Sequence, residues 1–121
     1  MIRLATAPRP SAVLVVEPRA DRRFLLRTCL SKLGLHGRFT DSYEHADLRN
    51  VSLLVVSPHL PEAGLLLEAA RRRGVRTLLL EPEGSSHVFA ADETLSLPAP
   101  LPRVRERLAS ACAHVVLDRC A

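Results

Sequence analysis

The chain has 121 residues, of which 47% are apolar and 25% charged, and a formal net charge of +4. That length holds one domain, and that balance excludes both a disordered tail and a membrane-embedded chain. With 3% aromatic residues and no tryptophan, it also lacks the side chains that build a base-stacking platform for nucleic acid.

Pro8 and Pro10 discourage regular structure in residues 1–10, which read as a flexible tail before a domain at 11–121. Residues 12–16 (AVLVV) form a continuous, largely β-branched apolar run, the pattern of a strand buried on both faces of a parallel sheet. Pro18 ends it. Asp21 is then the expected N-cap of a helix with Phe24, Leu25, Thr28, Cys29 and Leu33 on its inner face, stopped by Gly34. Residues 36–40 predict a weaker, more polar strand suited to a sheet edge, and residues 41–48 have room for one or two helical turns.

Residues 52–56 (SLLVV) are a second fully buried strand. A helix follows, with Pro61 in its first turn, running through Leu65, Leu66 and Ala69 to Arg73 and stopped by Gly74. Strands are expected at 76–80 and at 94–97, the latter closed by Pro98. A last helix at 101–117 places Val104, Leu108, Ala111 and Val115 on one stripe. Strands alternating with helices predict a doubly wound, mainly parallel sheet with helices on both faces, whose function is sought at the carboxyl ends of the strands.

The sixteen arginines against one lysine are interleaved with acids, as at Asp21 and Glu106, so the positive charge reads as a mixed solvated surface and no nucleic-acid partner is expected. Cys29, Cys112 and Cys120 form no paired framework and match no zinc spacing, so neither a metal nor a cofactor is expected. The opening MIRLATAPRP lacks the apolar core of a leader, and no apolar run spans a membrane, so the expected location is the reducing cytoplasm.

The pieces VLVVEPRADRRFLLRTCLSKLG, LLVVSPHLP, TLLLEP and AADETLSLP, in this order, resemble the receiver domain of bacterial response regulators over about residues 11–117. The resemblance implies a flavodoxin-like or CheY-like three-layer α/β/α fold with a five-stranded parallel sheet. It also implies a strand-end pocket in which an aspartate accepts a phosphoryl group beside a carboxylate pair, a Ser/Thr and a Lys. At the matching positions this chain has Ser57 for the acceptor, Glu17 and Pro18 for the pair, Glu81 for the Ser/Thr and Leu97 for the Lys; Thr94 stands for the switch aromatic.

A serine hydroxyl is not the carboxylate that forms an acyl phosphate, and Leu97 cannot pair with phosphate. Pro18 removes a magnesium ligand, and Glu81 repels an anion. Aspartyl phosphorylation is therefore not expected. The stretches 34–57 and 81–97 are shorter than is usual in the family, which predicts shortened second and fourth helices, the fourth reduced to a turn or two near 86–91.

Ser57, His59, Glu17 and Glu81 are the residue types of a hydrolase centre, but no nucleophile elbow accompanies them and the chain is not read as an enzyme. The reading is a stand-alone, phosphorylation-independent pseudo-receiver of bacterial signal transduction that works by protein–protein contact with an unidentified partner or as a homodimer. Its expected interaction face comprises Thr94, Leu95, Arg103, Arg107, Ser110 and His114, and its degenerate pocket Glu17, Pro18, Ser57, His59, Glu81 and Leu97. The alternative is a small-molecule sensor with an uncharged ligand in that emptied pocket.

Overall fold

Five short segments of the chain pair side by side in one parallel sheet. The computed structural model describes residues 13–82 and 90–120, with side chains other than those of 82 and 114–120. In chain order the elements are β1 (Val13–Val16), α1 (Ala20–Lys32), β2 (Gly37–Thr40), a single 3-10 turn (Tyr43–His45), β3 (Leu53–Val56), α2 (Ala63–Arg72), β4 (Arg76–Pro82), β5 (Glu93–Leu97) and α3 (Leu101–Cys120). The strand order is β2-β1-β3-β4-β5, with Val13 opposite both Gly37 and Leu53, and Leu78 opposite Glu93. The polar strand at 36–40 does lie at an edge.

The continuous apolar runs have the expected cause: both faces of the central strands are covered. Val13, Val15, Leu53, Val55, Leu78 and Leu80 face α1 and α3, meeting Leu26, Cys29, Leu30, Val104, Leu108 and Ala111. Leu14, Val16, Leu54, Val56 and Leu79 face α2, meeting Ala63, Leu66, Leu67 and Ala70. Each fully buried Leu or Val contributes roughly 1.5–3 kcal/mol of transfer free energy, which the two layers accumulate separately.

The helix ends follow the sequence closely. Gly34 (φ 76°) and Gly74 (φ 73°) each end a helix in a Schellman pattern. Leu35 N–H donates to Leu30 O and Val75 N–H to Ala70 O, at 3.0 and 2.9 Å, while the glycine N–H groups reach Ser31 O and Arg71 O. The second crossover is indeed short, holding one 3-10 turn. The short fourth helix expected near 86–91 falls largely outside the described residues, as does the expected tail at 1–10. Asp92 fastens the entry to β5: Thr77 N–H and Oγ1 donate to its Oδ2 at 2.8 and 3.1 Å, and its own N–H donates back to Thr77 Oγ1.

Three expectations are corrected. The N-cap of α1 is Arg19, the residue immediately before the first helical residue Ala20, and Asp21 lies inside the first turn. There its carboxylate meets the helix N-terminus and the Arg19 guanidinium at 2.7 Å. The inner face of α1 is Leu26, Cys29 and Leu30, while Phe24 is 70% exposed and Leu25 and Leu33 lie at the margin of the core. On α2, Leu65 is 62% exposed and Leu67 buried, and Pro61 precedes the N-cap Glu62. Val104, Leu108 and Ala111 of α3 are buried as expected, and α3 continues to Cys120. Among the described residues no helix is long and apolar enough to cross a membrane.

Candidate functional site

The carboxyl ends of β1, β3, β4 and β5 bring the expected pocket residues to one edge of the sheet. Glu17 continues the β1 ladder, its N–H donating to Thr40 O at 3.0 Å, and Ser57 does the same from β3, its N–H donating to Val16 O at 3.0 Å. Glu81 lies in β4 opposite Ser96, and Leu97 ends β5 opposite Pro82, followed by a cis peptide bond to Pro98. Parallel strands spaced about 4.8 Å apart thus put a hydroxyl between two carboxylate-bearing strands.

These side chains are packed in. Glu17 and Ser57 have 0% exposure, Leu97 2% and Glu81 9%. Glu17 Oε2 accepts the Arg19 main-chain N–H at 2.9 Å, while Oε1 has no hydrogen-bond partner among the described residues. Arg23 Nη1 donates to the carbonyls of Glu17 and Pro18 at 2.8 and 3.0 Å, clamping the turn after β1. Pro18 itself is exposed.

Ser57 Oγ accepts the His59 main-chain N–H at 3.3 Å, so the hydroxyl stabilises its own turn, and His59 is exposed. The contact between these two residues runs through the backbone of His59 and not through its imidazole, which is not the geometry of a nucleophile with its base. Among the described residues no group of three or more His, Cys, Asp and Glu is gathered as a metal would require. The small-molecule alternative meets a plain obstacle: the four residues expected to bound an emptied pocket, Glu17, Ser57, Glu81 and Leu97, present almost no surface to a ligand.

The expected interaction face needs one correction. Leu95 is 1% exposed and belongs to the core beneath α1 and α3, because odd positions of β5 face those helices. Thr94 is half-buried, and Arg103, Arg107 and Ser110 are exposed along α3, where with Glu106 they line a shallow depression of about 450 Å³. His114 belongs to α3, and its side chain lies outside the described ones. Cys29 and Cys112 are buried free thiols. Burial raises the pKa of both, Cys112 to about 11 with help from the nearby Glu93 carboxylate.

Sequence reasoning missed a second polar cluster, Arg23, Arg38 and His45, which the structure gathers around the β2 edge. The signal was the short second crossover, whose single 3-10 turn leaves the edge strand β2 half-buried.

No protein-family model matches the chain, and no curated protein matches it in sequence. Solved structures do match. An orphan response regulator of H. pylori is 20% identical with a TM-score of 0.68, covering 84% of this chain and 98% of that one. The receiver domain of the TMAO respiratory system response regulator TorR is 20% identical with a TM-score of 0.69, covering 84% of this chain and 95% of the other. A sensor protein from Polaromonas sp. JS666 is 23% identical with a TM-score of 0.65, over 88% of this chain and 98% of that one. The chain therefore has the receiver-domain fold of response regulators, a CheY-like α/β sandwich.

Proposed function

We propose that this chain is a phosphorylation-independent receiver-like module of bacterial signal transduction, acting by protein–protein contact and catalysing no reaction. The observation that supports it is Ser57, a buried hydroxyl tied into its own turn at the end of β3, where the receiver resemblance requires an ionised acceptor. Around it Pro18, Glu81 and Leu97 replace a metal ligand, a neutral hydroxyl and a cation. Phosphoryl transfer rests on positioning and charge neutralisation, and these side chains supply neither. A scaffold kept in one state can still present a surface, and the arginine ridge of α3 with Thr94 of β5 is that surface in this reading.

Incubation with acetyl phosphate and magnesium followed by intact-mass measurement tests the chemistry. The expected mass is unchanged, and a gain of one phosphoryl group on the chain overturns the reading. For the contact, the charge-reversed pair R103E/R107E is expected to lose, by tenfold or more, a partner that the unmodified chain captures from its native host. A partner held equally by both places the contact elsewhere.

A further inference from the structure

Beside the edge strand β2 lies a cleft of about 580 Å³, lined by Arg23, Arg38, Thr40, Asp41 and His45, with Leu14 and Phe39 as its apolar part. It lies on the β2 side of β1, whereas Ser57 lies on the β3 side. The crossover beside it holds a single 3-10 turn at Tyr43–His45, and the edge strand β2 is half-buried along its length, whereas Leu14 and Val16 of β1 are buried.

Two arginines reach the cleft already held in place. Arg23 Nη1 donates to the carbonyls of Glu17 and Pro18, and Arg38 Nη2 donates to those of Asp47 and Arg49 at 2.8 and 3.2 Å. All four acceptors are neutral. The ion pairs among the described residues are Arg19–Asp21, Arg49–Asp47, Arg72–Glu68 and Arg76–Glu93, so neither Arg23 nor Arg38 has its charge offset by a paired carboxylate. Asp47, whose main-chain carbonyl accepts from Arg38, lies close enough for its carboxylate to feel the Arg38 charge, but that carboxylate is hydrogen-bonded to Arg49. His45 is oriented by a 2.9 Å bond between its Nδ1 and Ser42 Oγ. The acidic residue of the lining is Asp41, which is exposed.

A guanidinium has five N–H donors; the carbonyls occupy Arg23 Nη1 and Arg38 Nη2, and Arg38 Nε is buried, which leaves the second terminal nitrogen of each arginine for a ligand. The remaining donors suit the terminal oxygens of a phosphate, and an arginine fixed before binding loses little side-chain freedom on contact. We propose that this cleft binds a small phosphate-bearing molecule, with Arg23 and Arg38 gripping its phosphate. The site goes beyond the contact role proposed above and shares no residue with the α3 face, so the two stand or fall separately.

The test titrates the full chain with inorganic phosphate and with phenyl phosphate at constant ionic strength, following the amide resonances of Thr40, Asp41 and His45, with chloride as control. Saturable shifts are expected for both probes. R38Q and R23Q should each weaken binding about tenfold, the usual size of one lost charge-assisted contact. D41N, which changes an exposed side chain and leaves the fold intact, should tighten it severalfold by removing a like charge. Shifts that chloride reproduces, or an affinity unmoved by D41N and by whichever arginine variant remains folded, overturn the proposal.

Discussion

Ser57 carries a hydroxyl where the receiver resemblance calls for a carboxylate, and the adjoining strands carry Glu17 and Glu81. Restoring the acid alone does not restore the chemistry, because Pro18 and Leu97 still offer neither a metal ligand nor a cation. In S57D a further carboxylate would occupy a site with 0% exposure between two acidic strands. Burial and like charge both oppose its ionisation. The expected outcome is a stability loss of about 2–4 kcal/mol, from burying a carboxyl that is either charged without a partner or held protonated, with no phosphoryl gain from acetyl phosphate and magnesium. Urea unfolding and intact mass check the two halves. Asp21 shows the same dependence on position: its residue type signals a helix start, and the structure uses its charge in the first turn while the backbone of Arg19 takes the cap.

At the scale of elements, the amphipathic stripes were legible in period and less so in phase. For α3, Val104, Leu108 and Ala111 were unambiguous because arginines and Glu106 fill the opposite face. For α1, leucine and phenylalanine occur on several faces, so periodicity admitted two phases, and contact with the sheet selected Leu26, Cys29 and Leu30. On α2 the run Leu65, Leu66, Leu67 posed the same ambiguity. The contrast predicts mutational cost. L108A, which empties a site of 0% exposure, should cost about 2–5 kcal/mol, whereas L65A, at a 62% exposed position, should stay within about 0.5 kcal/mol. Equal losses in chemical denaturation would contradict the assigned layers.

For the whole molecule, the two-layer core has a consequence for alkaline stability. Folding buries Cys29 and Cys112 and holds their thiols in the protonated form, raising the Cys112 pKa from 9.0 to about 11. Between those values the unfolded chain has released a proton that the folded chain retains, so stability is fully present below about pH 9 and declines as pH rises toward about 11. The slope contributed by one such thiol approaches about 1.4 kcal/mol per pH unit. Denaturant midpoints measured from pH 8 upward should therefore fall more steeply for the unmodified chain than for C112A, whose side chain has no proton to lose. Parallel curves would mean that Cys112 titrates as readily folded as unfolded.

The run of residues alone determined the layered α/β class, the edge position of β2, the glycine-terminated helices and the replacement of the acceptor by Ser57, since local propensity and spacing are properties of the chain. Tertiary packing decided the phase of α1 and α2, the inward turn of Leu95 and the burial of Glu17, Ser57, Glu81 and Leu97. It alone brought Arg23, Arg38 and His45 to one cleft. Those outcomes depend on which faces the sheet covers and on contacts between residues far apart in sequence, and no local pattern encodes them.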